Sequence, residues 1–276
     1  MNEYIYTRYN LKNKVAIITG GGGLLGKMHA EAIAEAGGIP VIVDVNKNAS
    51  DKVSKSLKRK LGADSLSVKT DVTKKDQLIE LKKNILKKYL KIDILINNAA
   101  NNPKVKKKGL IQERFEKFTL DMWHDDIAVG LTGAFLCSQI FGETMAKNDS
   151  GVILNISSDL GIIAPDQRIY MKKGISEEKQ PVKPVTYSVI KHGLIGLTRY
   201  MATYWCNKGI RVNALCPGGI YNNQPEEFVK KLTNLIPLGR MAKPDDYKGA
   251  VQFLCSDASS YMTGSVVVMD GGRTCW

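Results

Sequence analysis

A chain of 276 residues, 43% hydrophobic and 24% charged, can bury a substantial core as one large domain or two small ones. Its first ten residues lack the apolar stretch of a signal peptide and no apolar run reaches bilayer length, so the expectation is a cytoplasmic protein with no membrane partner. Lys and Arg exceed Asp and Glu by 40 − 27 = 13, but the excess recurs on expected helix exteriors without an aromatic platform or zinc-finger spacing, which argues against a nucleic-acid partner.

In chain order, residues 1–10 read as a short polar arm and residues 11–276 as one domain without linker or internal repeat. The first β run, residues 15–19, leads into Thr19-Gly20-Gly21-Gly22-Gly23-Leu24-Leu25-Gly26 and then a helical stretch through Ala36. Glycines placed between strand and helix let a pyrophosphate approach the backbone amides at the helix N-terminus, making Gly20, Gly23, Leu24, Leu25 and Gly26 cofactor-binding candidates. The second β run, residues 39–44, ends in Asp44, whose carboxylate can accept from adenosine ribose hydroxyls and would repel a 2′-phosphate. With Gly23 in the turn and Val45 after Asp44, NAD is favoured over NADP. Further β runs at 65–69, 92–96, 151–156, 210–215 and 266–269 alternate with helical patterns. Continuous Val and Ile strands are buried on both faces, so the fold class is α/β: a doubly wound Rossmann fold, a seven-stranded parallel sheet flanked by helices on both faces.

Toward the C-terminal half, Tyr187 and Lys191 stand four apart in a helical segment and share one face. Free tyrosine is a poor base at neutral pH until a neighbouring cation stabilises its phenolate, and Lys191 can supply that charge. The five cysteines are scattered with no CxxC pair and read as reduced, mostly buried thiols. His29, His124 and His192 lack ligand spacing, so no metal site is expected.

Taken together, the glycine turn, Asp44, Asn97-Asn98-Ala99-Ala100, Ser157-Ser158-Asp159-Leu160-Gly161, Tyr187-x-x-x-Lys191, Pro217-Gly218-Gly219 and Asp270-Gly271-Gly272 resemble the single-domain branch of the short-chain dehydrogenase/reductase family. The resemblance covers nearly the whole chain. It implies that Asp71 and Val72 border the adenine, that Asn97 and Ala99 lie on the cofactor side, and that Pro217, Gly218 and Ile220 pass under the nicotinamide carboxamide. Asn222 stands where a threonine often bonds that carboxamide. Ser158 matches the residue that bonds the substrate oxygen, Tyr187 the acid/base, and Lys191 the residue that lowers its pKa and holds the nicotinamide ribose. The activity implied is NAD-dependent hydride transfer between nicotinamide and a secondary alcohol or ketone, in a homodimer or homotetramer.

The chain departs from the family pattern at several points. Thr19-Gly20-x-x-Gly23-x-x-Gly26 carries the glycine spacing of the extended branch, which leaves open an epimerase or dehydratase using transient oxidation. Gly130 stands where an asparagine usually completes a proton relay, which leaves open a non-catalytic NAD-binding regulatory protein. The segment between Ser158 and Tyr187 is long, and it looks like that of bacterial members tied to flagellin modification or surface-carbohydrate pathways. Arg168, Lys172 and Lys173 there, with Lys104, Lys106, Lys107 and Lys108 from another loop, are either solvated or attract an anionic, sugar-like substrate.

Overall fold

The computed structural model describes residues 3–101 and 111–276. Lys104, Lys106, Lys107 and Lys108 lie outside the described residues.

A short helix, α1 (Glu3–Tyr9), occupies most of the stretch read as a polar arm, with its Tyr9 ring 6.4 Å from that of Phe253. The strands and helices then alternate: β1 (Val15–Thr19), α2 (Leu24–Glu35), β2 (Ile39–Asp44), α3 (Lys47–Leu61), β3 (Leu66–Lys69), α4 (Lys75–Tyr89) and β4 (Ile94–Asn97). After these come α5 (Leu120–Ile127), α6 (Gly133–Lys147), β5 (Gly151–Ile156), α7 (Val185–Tyr204), β6 (Ile210–Pro217), α8 (Glu226–Thr233), α9 (Lys248–Cys255) and β7 (Val266–Met269). The seven strands form one parallel sheet in the order β3-β2-β1-β4-β5-β6-β7. The order reverses between β1 and β4, and a parallel sheet binds ligands at the crevice that such a reversal opens.

Strand residues alternate between two helical layers. Ala16, Ile18, Ile42, Ile94, Ile96 and Leu154 pack with α2 and α9, while Val15, Ile17, Val41, Leu95, Ile153 and Val212 pack with α4, α6 and α7. This two-faced burial explains why the strands read as unbroken apolar runs.

One expectation needs correction. The continuous helical run Leu120–Lys147, 28 residues long, is apolar enough to match a membrane span by length and composition. Half of its most apolar window is buried inside the protein, where Cys137, Ile140, Phe141 and Met145 join the core under the sheet. Polar Asp125 and Asp126 interrupt the sequence pattern there and hid the run.

Candidate active site

At the β1 end, Gly20 has φ +61, and a Cβ on it would stand 2.9 Å from the Ala99 Cα. A Cβ on Gly26 would run into the Gly20 carbonyl, so α2 sits this close to the turn only with glycine at 26. Gly23 caps α2 without a side chain, leaving its first amides free of side-chain acceptors. Asn98, which the sequence reading did not single out, clamps the turn. Its Nδ2 donates to the carbonyls of Thr19 (3.0 Å) and Gly20 (3.2 Å), and its N–H donates to Thr19 Oγ1 at 3.0 Å.

Asp44 ends β2 with one carboxylate oxygen accepting from the Gly22 N–H and the other from the Asn46 N–H, both at 2.9 Å. It borders a cavity of about 620 Å³ together with Gly20, Asp71, Val72 and Ala99. Five candidates from distant parts of the chain thus line one crevice at the reversal of strand order. The glycine cradle, uncapped helix start and acidic strand end fit a dinucleotide.

Other cofactor candidates are placed differently. Asn97 is buried, its amide donating to Ser138 Oγ (3.0 Å) and Asn155 Oδ1 (2.8 Å); it braces β4 against β5 and does not line the crevice. As the last residue of β4, it points into the helical layer, and its neighbour Asn98 reaches the turn. Pro217, Ile220 and Asn222 are also absent from the crevice lining. A backbone bridge between Ile220 and Ala242 and the Gln224 Nε2 bond to the Ile220 carbonyl (2.8 Å) fix that segment. Gly218 instead lines a separate cavity of about 300 Å³ with Ile236, Tyr247 and Asp270.

At the reacting end, α7 carries Tyr187 and Lys191. Lys191 is buried, and its ammonium donates to the Ile156 carbonyl at 2.8 Å. Burial, reinforced by the charge of Lys183, pushes its pKa down to about 8. The Lys191 Nζ lies 5.7 Å from the Tyr187 ring centroid. Burial raises the phenol pKa, with the Ser158 hydroxyl acting in the opposite sense. The Arg273 charge acts in the same downward sense as Ser158, and burial outweighs both.

Ser158 is buried at the end of β5 and donates to Asp159 Oδ1 at 2.7 Å. The other Asp159 oxygen accepts from Arg273 Nη1 at 2.6 Å, a buried ion pair joining the site to the C-terminal segment. The sequence reading missed Arg273, whose partner lies 114 positions away.

Lys183 was also missed. Its ammonium stands 3.6 Å from the Tyr187 ring centroid, and burial pushes its pKa down to about 8, against the pull of Asp159 and Glu113. Gln167 fixes the Lys183 backbone from both sides, accepting from its N–H at 2.8 Å and donating to its carbonyl at 3.3 Å. The long segment before Tyr187 is thus an ordered wall of the site. Tyr170 in it packs on Phe228 of α8 with ring centroids 5.5 Å apart, while Arg168 is held by Asp166 at 2.8 Å.

Gly130 lies in a π turn (Ala128–Thr132) between α5 and α6. A Cβ there would meet Ile190 Cγ2 at 2.8 Å, so the space that a larger side chain would need is filled from α7.

The family model described as enoyl-(acyl carrier protein) reductase matches residues 24–274. The chain belongs to the short-chain dehydrogenase/reductase family. It is an oxidoreductase of CH–OH groups. It is 30% identical over 274 residues to an NAD-dependent glycerol dehydrogenase of Listeria innocua, covering 96% of each chain. It is 31% identical over 262 residues to the post-translational flagellin modification protein A of Campylobacter coli, covering 95% of this chain and 98% of the other. A gluconate 5-dehydrogenase from Burkholderia cenocepacia, solved with NADP and tartrate, superposes with a TM-score of 0.84 at 27% identity over 99% of each chain.

The packing at Gly130 makes a direct prediction. Gly130→Asn should lower stability to urea by about 1–3 kcal/mol through overpacking. Adding Ile190→Ala should recover part of that loss relative to Ile190→Ala alone; strictly additive losses in the double-mutant cycle would show that the two positions do not compete for space.

Proposed function

We propose that this member of the short-chain dehydrogenase/reductase family is an NAD-dependent dehydrogenase of secondary alcohols, with a polyol or sugar-like substrate. The observation that carries the reading is the convergence of the Ser158 hydroxyl and Tyr187 phenol over buried Lys191, at the sheet edge that also presents the glycine turn and Asp44.

In the oxidative direction the carbinol loses a hydride from carbon and a proton from oxygen as the C=O bond forms. Ser158 holds the oxygen and Tyr187 receives the proton; in the reverse direction the phenol returns it. Bound nicotinamide supplies the hydride acceptor or donor. Gly20, Gly23, Leu24, Leu25 and Gly26 would hold the pyrophosphate, and Asp44 the adenosine ribose. NAD is preferred because the Asp44 carboxylate faces the place of a 2′-phosphate; the Listeria relative is NAD-dependent, whereas the Burkholderia structure holds NADP.

A hydroxylated substrate is favoured over one held by an arginine, because both arginines near the site are already paired. Arg168 is engaged by Asp166 and Arg273 by Asp159. Glycerol and gluconate, named for two relatives, are both polyhydroxylated, and gluconate is also an anion. A cytoplasmic setting accords with free Cys137, Cys206, Cys216, Cys255 and Cys275. Exposed Phe135 on α6 and Val189, Tyr200 and Tyr204 on α7 would be covered in a homodimer or homotetramer.

Tyr187→Phe should reduce kcat by about 10³-fold while NADH still binds, as read by stopped-flow turnover and nucleotide fluorescence; substantial turnover rejects the phenol as acid/base. Accumulation of NADH with equimolar ketone in the wild type separates this chemistry from transient oxidation. For cofactor choice, Asp44→Ala should raise the NADP-to-NAD ratio of kcat/KM by at least roughly ten-fold. An unchanged ratio would remove Asp44 as the selecting group.

A further inference from the structure

A third cavity, of about 110 Å³, is lined by the Tyr187 phenol, Lys183, Glu113, Asp126, Tyr170 and Lys191. Two of its charged groups lack ordinary partners. Glu113 is 6% exposed, and its Oε2 accepts no hydrogen bond among the described residues. Lys183 makes no side-chain hydrogen bond or ion pair among the described residues and contacts the phenol ring with its ammonium. Asp126 is already occupied, accepting from Thr186 Oγ1 at 2.6 Å, and Lys191 is held by the Ile156 carbonyl.

A buried acceptor and a desolvated donor left open in one cavity are costly unless a ligand completes them. One hydroxyl does so: its oxygen accepts from an ammonium while its proton goes to a carboxylate. Opposite charges on the two residues give an added anion little net attraction. The segment Pro181-Val182-Lys183-Pro184 is stiffened by its prolines and by Gln167, so the ammonium is held against the phenol before substrate arrives.

We propose that Lys183 and Glu113 are specificity-determining residues, a donor and acceptor that clasp a second hydroxyl beside the carbon being oxidised, and so select vicinal diols. This rests on the reading of Tyr187 as the group at the reacting oxygen. The structural basis is the placement of both residues in one cavity with that phenol.

Two pairs of probes differ in the extra hydroxyl: glycerol against 2-propanol, and cis-1,2-cyclohexanediol against cyclohexanol. In the first arm, NAD-loaded Tyr187→Phe protein, which keeps the ring beneath Lys183, is titrated calorimetrically. Each diol should bind at least about ten-fold tighter than its partner, and that preference should vanish when Lys183→Met or Glu113→Gln is added. Lys183→Arg should retain part of it. Equal binding within both pairs, no measurable diol binding, or a preference indifferent to both substitutions overturns the proposal.

The second arm measures NADH formation by otherwise wild-type protein. There the diol-to-alcohol ratio of kcat/KM should be about 100-fold and should fall in Lys183→Met, Lys183→Gln and Glu113→Gln. Turnover without diol preference sinks the clasp and leaves the dehydrogenase reading standing. Diol-selective binding without turnover does the reverse. A generally loosened fold would slow both members of a pair and leave the ratio unchanged, which also counts against the clasp.

Discussion

The site depends on how α7 is lashed to the end of β5. Three consecutive residues of the chain reach the same helix: Asn155 Nδ2 donates to Thr198 Oγ1 (2.8 Å), the Ile156 carbonyl accepts from Lys191 Nζ (2.8 Å), and Ser157 Oγ donates to the Lys191 carbonyl (2.7 Å). All three bonds are buried, where no water competes and a lost partner is expensive. Gly161 is part of the same constraint, because a Cβ there would collide with Ser157 Oγ and the Lys191 carbonyl. With α7 fixed in rotation and height, the four-residue spacing delivers Tyr187 to the side of the sheet where Ser158 emerges.

That placement has an electrostatic cost that the protein distributes. Lys191 and Lys183 are both driven down to about 8 by burial, while the phenol between them is driven up. Each group resists its charged form, and the charge of Lys183 adds to the burial that lowers Lys191. Ser158 is oriented by a different route. Arg273 holds Asp159, and Asp159 accepts the serine hydroxyl proton, so the C-terminal segment helps to aim a group at the opposite end of the sequence motif. In the proposed reaction a substrate oxygen would compete with Asp159 for that hydroxyl.

Much of this was legible in the sequence wherever the determinants are local. Four strands, 15–19, 39–44, 151–156 and 266–269, have the bounds read from their apolar runs, and the other three shift by at most two residues at an end. Burial on both faces makes such runs unambiguous. The glycine turn was legible for a related reason: φ above zero at Gly20 and close backbone approach at Gly26 restrict the residue type at fixed positions. Adjacent residues at a strand end face opposite ways, so the Asn97 side chain braces β4 while that of Asn98 holds the turn, a division of labour with no signature in the Asn-Asn pair. Lys183, Glu113, Arg273 and Ile190 carry no local signature. Their importance comes from contacts between segments far apart in the chain, and a lysine between two prolines in a basic stretch looks like any solvated lysine until the phenol beneath it is seen.

The same distinction explains why an excess of 13 positive charges says little about the substrate. Many lysines are engaged at the surface, as in Lys47 with Asp51 and Lys82 and Lys147 with Glu143. Exposed charges farther away are screened beyond about 8 Å at physiological ionic strength. Beside Ser158, Arg273 is matched by Asp159, and in the neighbouring cavity Lys183 and Lys191 are set against Glu113 and Asp126. A field that is nearly balanced cannot select by net charge; discrimination must come from directed donors and acceptors. Lys183 Nζ and Glu113 Oε2, neither hydrogen-bonded among the described residues, line one cavity with the phenol, so the proposed selectivity and the proposed chemistry would meet at one ring of α7.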